Sequence, residues 1–349
     1  MKISPVKKSR LDEVDFENLP FGKIFSDHML WCEYKNGSWQ EAEIRPYGKI
    51  EVSPALHTLH YGQAIFEGQK AYRMADGRVG IFRAHDNFLR LNKSAERMCI
   101  PQIPENIFMD GLRKLVELDK NWVPKDESIS LYIRPFMYGS SEFIAARPSE
   151  DYVFCILTSP SGPYYAGDVK VYIEEEFVRS AAGGVGYAKA AGNYGGSFYP
   201  AKKIQEKGYT QIIWTDHKSH ELIEESGTMN IAFVIDGVLR TPPLSDRILA
   251  GITRDSVLQI ARSWGMSVKE EPITTYEVID SIKNGKLTEA FGMGTAAVIS
   301  PISTIGFRGN DYDIPPQGSD SFAIKVKSEL AAIRSGRKED TFGWMEIIG

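Results

Sequence analysis

The strongest constraint on the fold is the stretch 158–168, T-S-P-S-G-P-Y-Y-A-G-D. Two prolines and two glycines in eleven residues forbid a continuous helix and disfavour a sheet interior. Proline has no amide donor, and glycine loses the most backbone entropy on folding. The stretch therefore reads as a connection between domains. It divides a chain of 349 residues into two parts, each long enough for its own core. The expected layout is a smaller N-terminal α+β domain over 1–160, a connection over 161–170 and a larger C-terminal domain over 171–349.

Periodicity fills in both halves. Residues 29–34 and 42–47 are strand-like and flank a hairpin signal at Asn36-Gly37; Gly77 closes a second tight turn between 70–72 and 79–82. Phe88, Leu91, Ala95 and Met98 share one helical face, and Phe108, Leu112, Leu115 and Val116 share another. Residues 129–136 and 152–157 are strand candidates. In the second half, strands are expected at 169–173, 211–215, 231–235 and 287–291. A helix over 197–207 should end at Gly208. Thr253 is the expected cap of a helix burying Val257, Ile260, Ala261 and Trp264. A last helix over 320–334 puts Phe322, Val326, Leu330 and Ile333 on one stripe.

Lys189 lies inside nineteen residues, 180–198, that are mostly glycine and alanine. Small neighbours let a flat, bulky group approach the backbone. Such a lysine suits an amine nucleophile that forms a Schiff base with a carbonyl; the plainer reading is a solvated lysine on a flexible surface loop. Three further pieces of the second half are similarly built, namely E-E-S-G-T-M-N at 224–230, L-A-G-I-T-R at 249–254 and G-M-G-T-A at 292–296. The last two set glycine and threonine at element boundaries, where backbone N–H groups and a hydroxyl can hold an anion. Alone, Thr253 is equally an N-cap and Thr295 a turn residue. Together with the lysine they fit a phosphorylated carbonyl cofactor, pyridoxal 5′-phosphate.

Composition excludes other classes. A net charge of -5 argues against nucleic acid or an anionic membrane as the main partner. Cys32, Cys99 and Cys155 are too scattered for a disulfide framework or a metal site, and read as buried or incidental thiols. The first residues lack a signal-peptide pattern, and a cytoplasmic protein is expected.

The ordered motifs L-H-Y-G (from Leu59), F-E-G-Q-K-A (Phe66), N-F-L-R-L (Asn87), L-Y-I-R-P (Leu131), K-A-A-G-N-Y (Lys189), E-S-G-T-M-N (Glu225), G-I-T-R (Gly251) and G-M-G-T-A (Gly292) resemble the branched-chain amino acid aminotransferases, fold-type IV pyridoxal-phosphate enzymes. The likeness covers nearly the whole chain and implies a two-domain α+β fold, with the cofactor lysine in the C-terminal domain. It implies that Lys189 holds the cofactor aldehyde and moves the proton, and that Glu225 faces the pyridine nitrogen. It implies Tyr194 on the ring oxygen, and Arg90, Ile252, Thr253 and Thr295 on the phosphate. By periodicity alone Arg90 is an exposed helix arginine. Glu224, next to Glu225, is expected in a supporting or solvent-facing place.

For the substrate, the resemblance implies Tyr61, Phe66 and Tyr164 along an apolar wall, although each could be plain core. It implies Tyr132 and Arg134 near a distal carboxylate, and the N–H groups of Thr295 and Ala296 on the α-carboxylate. Tyr132 and Arg134, two apart on a strand, share a face. Phe143, Ile144 and Ala145 resemble a loop that reaches the neighbouring subunit of a homodimer. Mammalian members carry C-x-x-C after G-T-A. Here Ala297 and Ser300 stand there, so no thiol switch is expected. The implied reaction is amino transfer between leucine, isoleucine or valine and 2-oxoglutarate. Alternatives are a D-amino acid aminotransferase, an aminodeoxychorismate lyase, or a binding protein that kept the scaffold.

Overall fold

The computed structural model describes residues 1–162, 167 and 169–348. By contacts the chain forms two units. One comprises Met1–Tyr164, Ala188–Gly192 and Ala331–Gly349; the other Tyr165–Tyr187 and Asn193–Leu330. This division departs from the expected boundary in two places. The five residues around Lys189, and the end of the chain, group with the first unit rather than with the C-terminal half.

The first unit holds a ten-stranded sheet among the described residues. Its middle is antiparallel: His28–Lys35 pairs with Tyr152–Ser161, which pairs with Ser130–Gly139, which pairs with Gln69–Arg73. Asn36 and Gly37, both at positive φ, close the expected hairpin between Lys35 and Ser38. The helices Ala84–Arg97 and Glu105–Leu118 supply Leu91, Phe108, Leu112 and Leu115 to a core shared with Leu30, Leu131, Ile133 and Phe154. Each such side chain contributes about 1.5–3 kcal/mol by leaving water. Gly111 lets the second helix sit close, because a Cβ there would lie 2.7 Å from Leu30 Cδ2. Tyr132 and Arg134 alternate with the core residues Leu131 and Ile133, and so take the other face of the sheet.

The second unit holds a nine-stranded sheet among the described residues. Val169–Ile173 runs parallel to both Gln211–Thr215 and Val298–Phe307, and Ile223–Ser226 pairs antiparallel with Gln211–Thr215. Ile213, Ile231, Phe233, Val278 and Ile305 lie in its main core. The helix Phe322–Arg334 starts on two amides that donate to the Glu289 carboxylate, both at 2.8 Å.

Four expectations need correction. The strand Tyr152–Ser161 runs into the proline-glycine stretch, with Pro160 opposite Leu131. The helix expected from 197 is Ala191–Glu206, with Pro200 inside it; its glycine-rich first turns carry no apolar period to read. Thr253 is not a cap: the helix is Ile252–Ser263 with Gly251 as N-cap. Trp264 follows that helix and is 42% exposed, against the ring of Phe322. Of the cysteines, Cys32 and Cys155 are buried, which pushes their thiols up to about 11 and about 12, whereas Cys99 is exposed. No helix among the described residues is long and apolar enough to cross a membrane.

Candidate active site

In the first unit the backbone of Lys189 is held from two sides. Its N–H donates to Ser94 Oγ at 3.0 Å and its carbonyl accepts from the Phe66 N–H at 3.1 Å; Ala190 bridges to Ile65. Ser94 also donates to the Arg90 carbonyl at 3.1 Å. One hydroxyl thus ties the lysine to the helical turn that carries Arg90. Arg90 is mostly buried, contrary to its periodicity. Its Nε and Nη2 donate to Glu67 Oε1 and Oε2 at 2.8 and 2.7 Å.

Phe66 collects two cations. Lys189 Nζ lies 4.8 Å and Arg134 Cζ 4.5 Å from its ring centre. Arg134 Nη2 donates to Tyr132 Oη at 2.9 Å, and Arg134 Nε is buried with no hydrogen bond among the described residues. Tyr132 reaches this position over Gly68, where a Cβ would lie 2.1 Å from its oxygen. An amine and a guanidinium with an unused donor, on one phenyl ring, can address a carbonyl carbon and a carboxylate of one small molecule.

Tyr61, expected on the substrate wall, has its own set of neighbours. It is 42% exposed, sits beside the His57 ring and donates to the Ile144 carbonyl. Phe143 packs edge-on against His57 and lies under Arg147, while Ile144 is 69% exposed. Tyr61 therefore groups with the 143–145 loop. Tyr164 lies outside the described residues.

In the second unit the centre is Glu225. Asn230 Nδ2 donates to its Oε1 at 3.1 Å, and the Leu249 N–H does so at 2.9 Å. Arg179 Nε lies 2.6 Å from Oε2, an ion pair whose angle is too poor for a hydrogen bond. A buried carboxylate with a cation and two donors is stabilised in its ionised form. Arg179 also donates to the carbonyls of Gly186 and Arg247. Gly183 N–H donates to the Asp246 carboxylate, and Tyr187 N–H to the Asp246 carbonyl. The glycine-rich segment ahead of the lysine is pinned rather than loose.

Glu224 is buried and ion-paired with Arg247, so its solvent-facing alternative is excluded. Burial raises its carboxyl, and the pairing with Arg247 opposes that. Asn230 donates to the Leu249 carbonyl at 3.0 Å, and a Cβ on Gly251 would lie 1.8 Å from Asn230 Oδ1. A side chain there would have to displace Asn230, and with glycine at this position the helix Ile252–Ser263 has no side-chain cap. Its second residue, Thr253, is buried. Tyr194 lies in the first turn of Ala191–Glu206. Thr295 and Ala296 lie in the turn between Leu287–Gly294 and Val298–Phe307, where Val298 has φ 57.

Sequence reasoning missed Glu67, Ser94, Arg179 and Asn230. Glu67 stands inside F-E-G-Q-K-A and Asn230 inside E-S-G-T-M-N. Ser94 and Arg179 carry no signal in sequence, because the partners that matter here, Lys189 and Glu225, are far along the chain. No group of His, Cys, Asp and Glu suited to a metal was found among the described residues.

A model of the class IV amino-transferases matches residues 64–305. The chain belongs to this family, in its branched-chain group. Branched-chain-amino-acid transaminase 1 of Bacillus subtilis is 42% identical over 338 residues, covering 95% of each chain. The branched-chain-amino-acid aminotransferase of Mycolicibacterium smegmatis is 40% identical over 337 residues, covering 94% of this chain and 92% of that one. The branched-chain aminotransferase of Thermoproteus uzoniensis, solved with norvaline, aligns with TM-score 0.75 at 27% identity, over 91% of this chain and 99% of that chain. Class IV aminotransferases use pyridoxal phosphate. The residues present fit that group in kind: the first unit has a lysine amine, and the second has a buried carboxylate beside a cation and a helix start without a side-chain cap.

Proposed function

We propose that the chain transfers the amino group reversibly between L-leucine, L-isoleucine or L-valine and 2-oxoglutarate, giving the branched 2-oxo acid and L-glutamate in two half-reactions. The observation that carries this reading is the shared Phe66 ring, with the Lys189 amine on it at 4.8 Å and the Arg134 guanidinium at 4.5 Å. The ring offers an apolar surface to a branched side chain. Arg134 Nε and the Tyr132 hydroxyl offer donors to the distal carboxylate of glutamate. One pocket then accepts both substrate types.

When bound, pyridoxal phosphate supplies an aldehyde and an electron sink. Lys189 would be the residue that holds that aldehyde. Its Nζ would also be the group that moves a proton at the substrate Cα. Glu225, kept ionised by Arg179, Asn230 and Leu249, holds a proton on the ring nitrogen. Tyr194 orients the ring oxygen. Arg90, Ile252, Thr253 and Thr295 bind the phosphate, and the Thr295 and Ala296 amides bind the α-carboxylate. Tyr164 belongs to the apolar wall in the same proposal. Tyr61, Phe143, Ile144 and Ala145 serve the neighbouring subunit of a homodimer; the exposure of Ile144 and the Tyr61 hydrogen bond to its carbonyl support that assignment. A cytoplasmic location goes with it.

Borohydride reduction followed by peptide mass mapping should put the pyridoxyl label on Lys189. Lys189→Ala should retain cofactor only non-covalently and make no glutamate from leucine and 2-oxoglutarate. A label on another residue, or near-normal turnover in that variant, refutes the assignment. Activity confined to D-amino acids, or release of product without amino transfer, favours the neighbouring enzymes of the fold class.

A further inference from the structure

We infer that Glu67 is a positioning residue: it fixes the plane of the Arg90 guanidinium so that its adjoining Nη1–Nη2 edge is aimed at the cofactor phosphate. This rests on the reading that Arg90 is a phosphate ligand.

Glu67 is fully buried, and its carboxylate binds Arg90 through both oxygens, at 2.8 Å from Nε and 2.7 Å from Nη2. These are the two nitrogens of one guanidinium edge. A planar fork held on that edge has its orientation determined, and with it the direction of the adjoining edge formed by Nη1 and Nη2. Glu67 itself is fastened. Its N–H donates to the Pro135 carbonyl at 2.7 Å, and its Oε2 accepts from the Gly68 N–H at 3.2 Å. Pro135 follows Arg134 on the strand Ser130–Gly139, and Phe66 pairs with Phe136 there. The carboxylate is therefore built on the sheet that also presents Arg134, while Arg90 comes from the helix Ala84–Arg97. The pair joins two rigid elements.

Two effects of Glu67 on a phosphate oppose each other. Its charge repels the phosphate; its grip removes the rotamer freedom that a long arginine would otherwise lose on binding. The full burial of Glu67 decides between them. A buried carboxylate without its cation is costly, so the pair persists with or without ligand, and orientation is the property left to act on the phosphate. The role predicts a dependence on the phosphate alone, which a merely structural salt bridge would not show.

The test titrates apoenzyme with pyridoxal phosphate and with pyridoxal, following the visible absorbance, and compares the ratio of the two dissociation constants. Glu67→Gln keeps the shape but loses the charged two-point grip. It should weaken pyridoxal phosphate by about 10-fold or more and pyridoxal by less than about 2-fold. In an Arg90→Ala background the same substitution should leave the ratio unchanged. Equal weakening of both ligands, an unchanged ratio, or selectively tighter pyridoxal phosphate each overturns the inference, the last by making Glu67 a competing charge. If Arg90→Ala alone leaves the ratio at its wild-type value, the phosphate role of Arg90 fails and takes the inference with it. If Glu67→Gln does not fold, Glu67→Asp carries the test. It retracts the carboxylate by one methylene and should raise the ratio in the same direction; no rise overturns the inference.

Discussion

Lys70→Met should flatten the pH dependence of stability. Lys70 lies on the strand Gln69–Arg73 opposite Tyr132, and is buried. The Arg334 guanidinium sits nearby, 5.5 Å from the Tyr72 ring centre and 4.2 Å from that of Phe82. Burial first, and the charge of Arg334 second, bring the Lys70 amine from its ordinary 10.5 down to about 7. The unfolded chain thus binds this proton more tightly than the folded one. Between about 7 and 10.5 the unfolded state carries more protons, so wild-type stability gains from rising pH across that window. Below about 7 the amine is charged in both states and its full penalty remains.

At about 1.4 kcal/mol for each tenfold change in proton affinity, the gap amounts to roughly 5 kcal/mol over the window. Lys70→Met has no such term. Its stability advantage over wild type should therefore shrink by about 1.4 kcal/mol per pH unit between about pH 7.5 and 9. Urea unfolding of both proteins at the same cofactor concentration measures this, and other titrating groups cancel in the difference. Arg334→Gln should raise the lower edge of the window, and so narrow it, by removing the nearby charge. Parallel stability curves for wild type and Lys70→Met refute the reasoning.

Arg134→Ala should lower kcat/KM for 2-oxoglutarate about 10- to 100-fold more than that for the 2-oxo acid of leucine, the loss expected for one hydrogen bond to a charged group; equal losses would indicate a structural role. Val298, β-branched at φ 57 where the strand Val298–Phe307 leaves the turn, sits where side chains are strained. Val298→Gly should raise the urea midpoint by an amount equivalent to about 1 kcal/mol, strain relief exceeding the entropy cost of glycine. A lower midpoint would mean that contacts of the valine outweigh its strain.

Much of the secondary structure was legible because apolar periodicity is a local property. The strands Val169–Ile173 and Gln211–Thr215 fall at the expected residues, and the two helices of the first unit bury the expected faces. The helix starting at Ala191 was not legible: glycine and alanine have no period, and Pro200 is readable only as a start. Thr253 was misread because a threonine near a helix start is usually the cap. Here the close approach of Asn230 favours glycine at 251, and the threonine moves inside.

The sequence alone determined the family, since its motifs are runs of a few residues whose order is unlikely by chance. Tertiary structure decided what holds each of them. Arg90 faces a carboxylate on another element, Glu225 is ion-paired with Arg179, and Lys189 hangs from Ser94 and Phe66. Such pairings join residues tens of positions apart. No local pattern encodes them, because burial and charge compensation depend on neighbours that only the folded chain brings together.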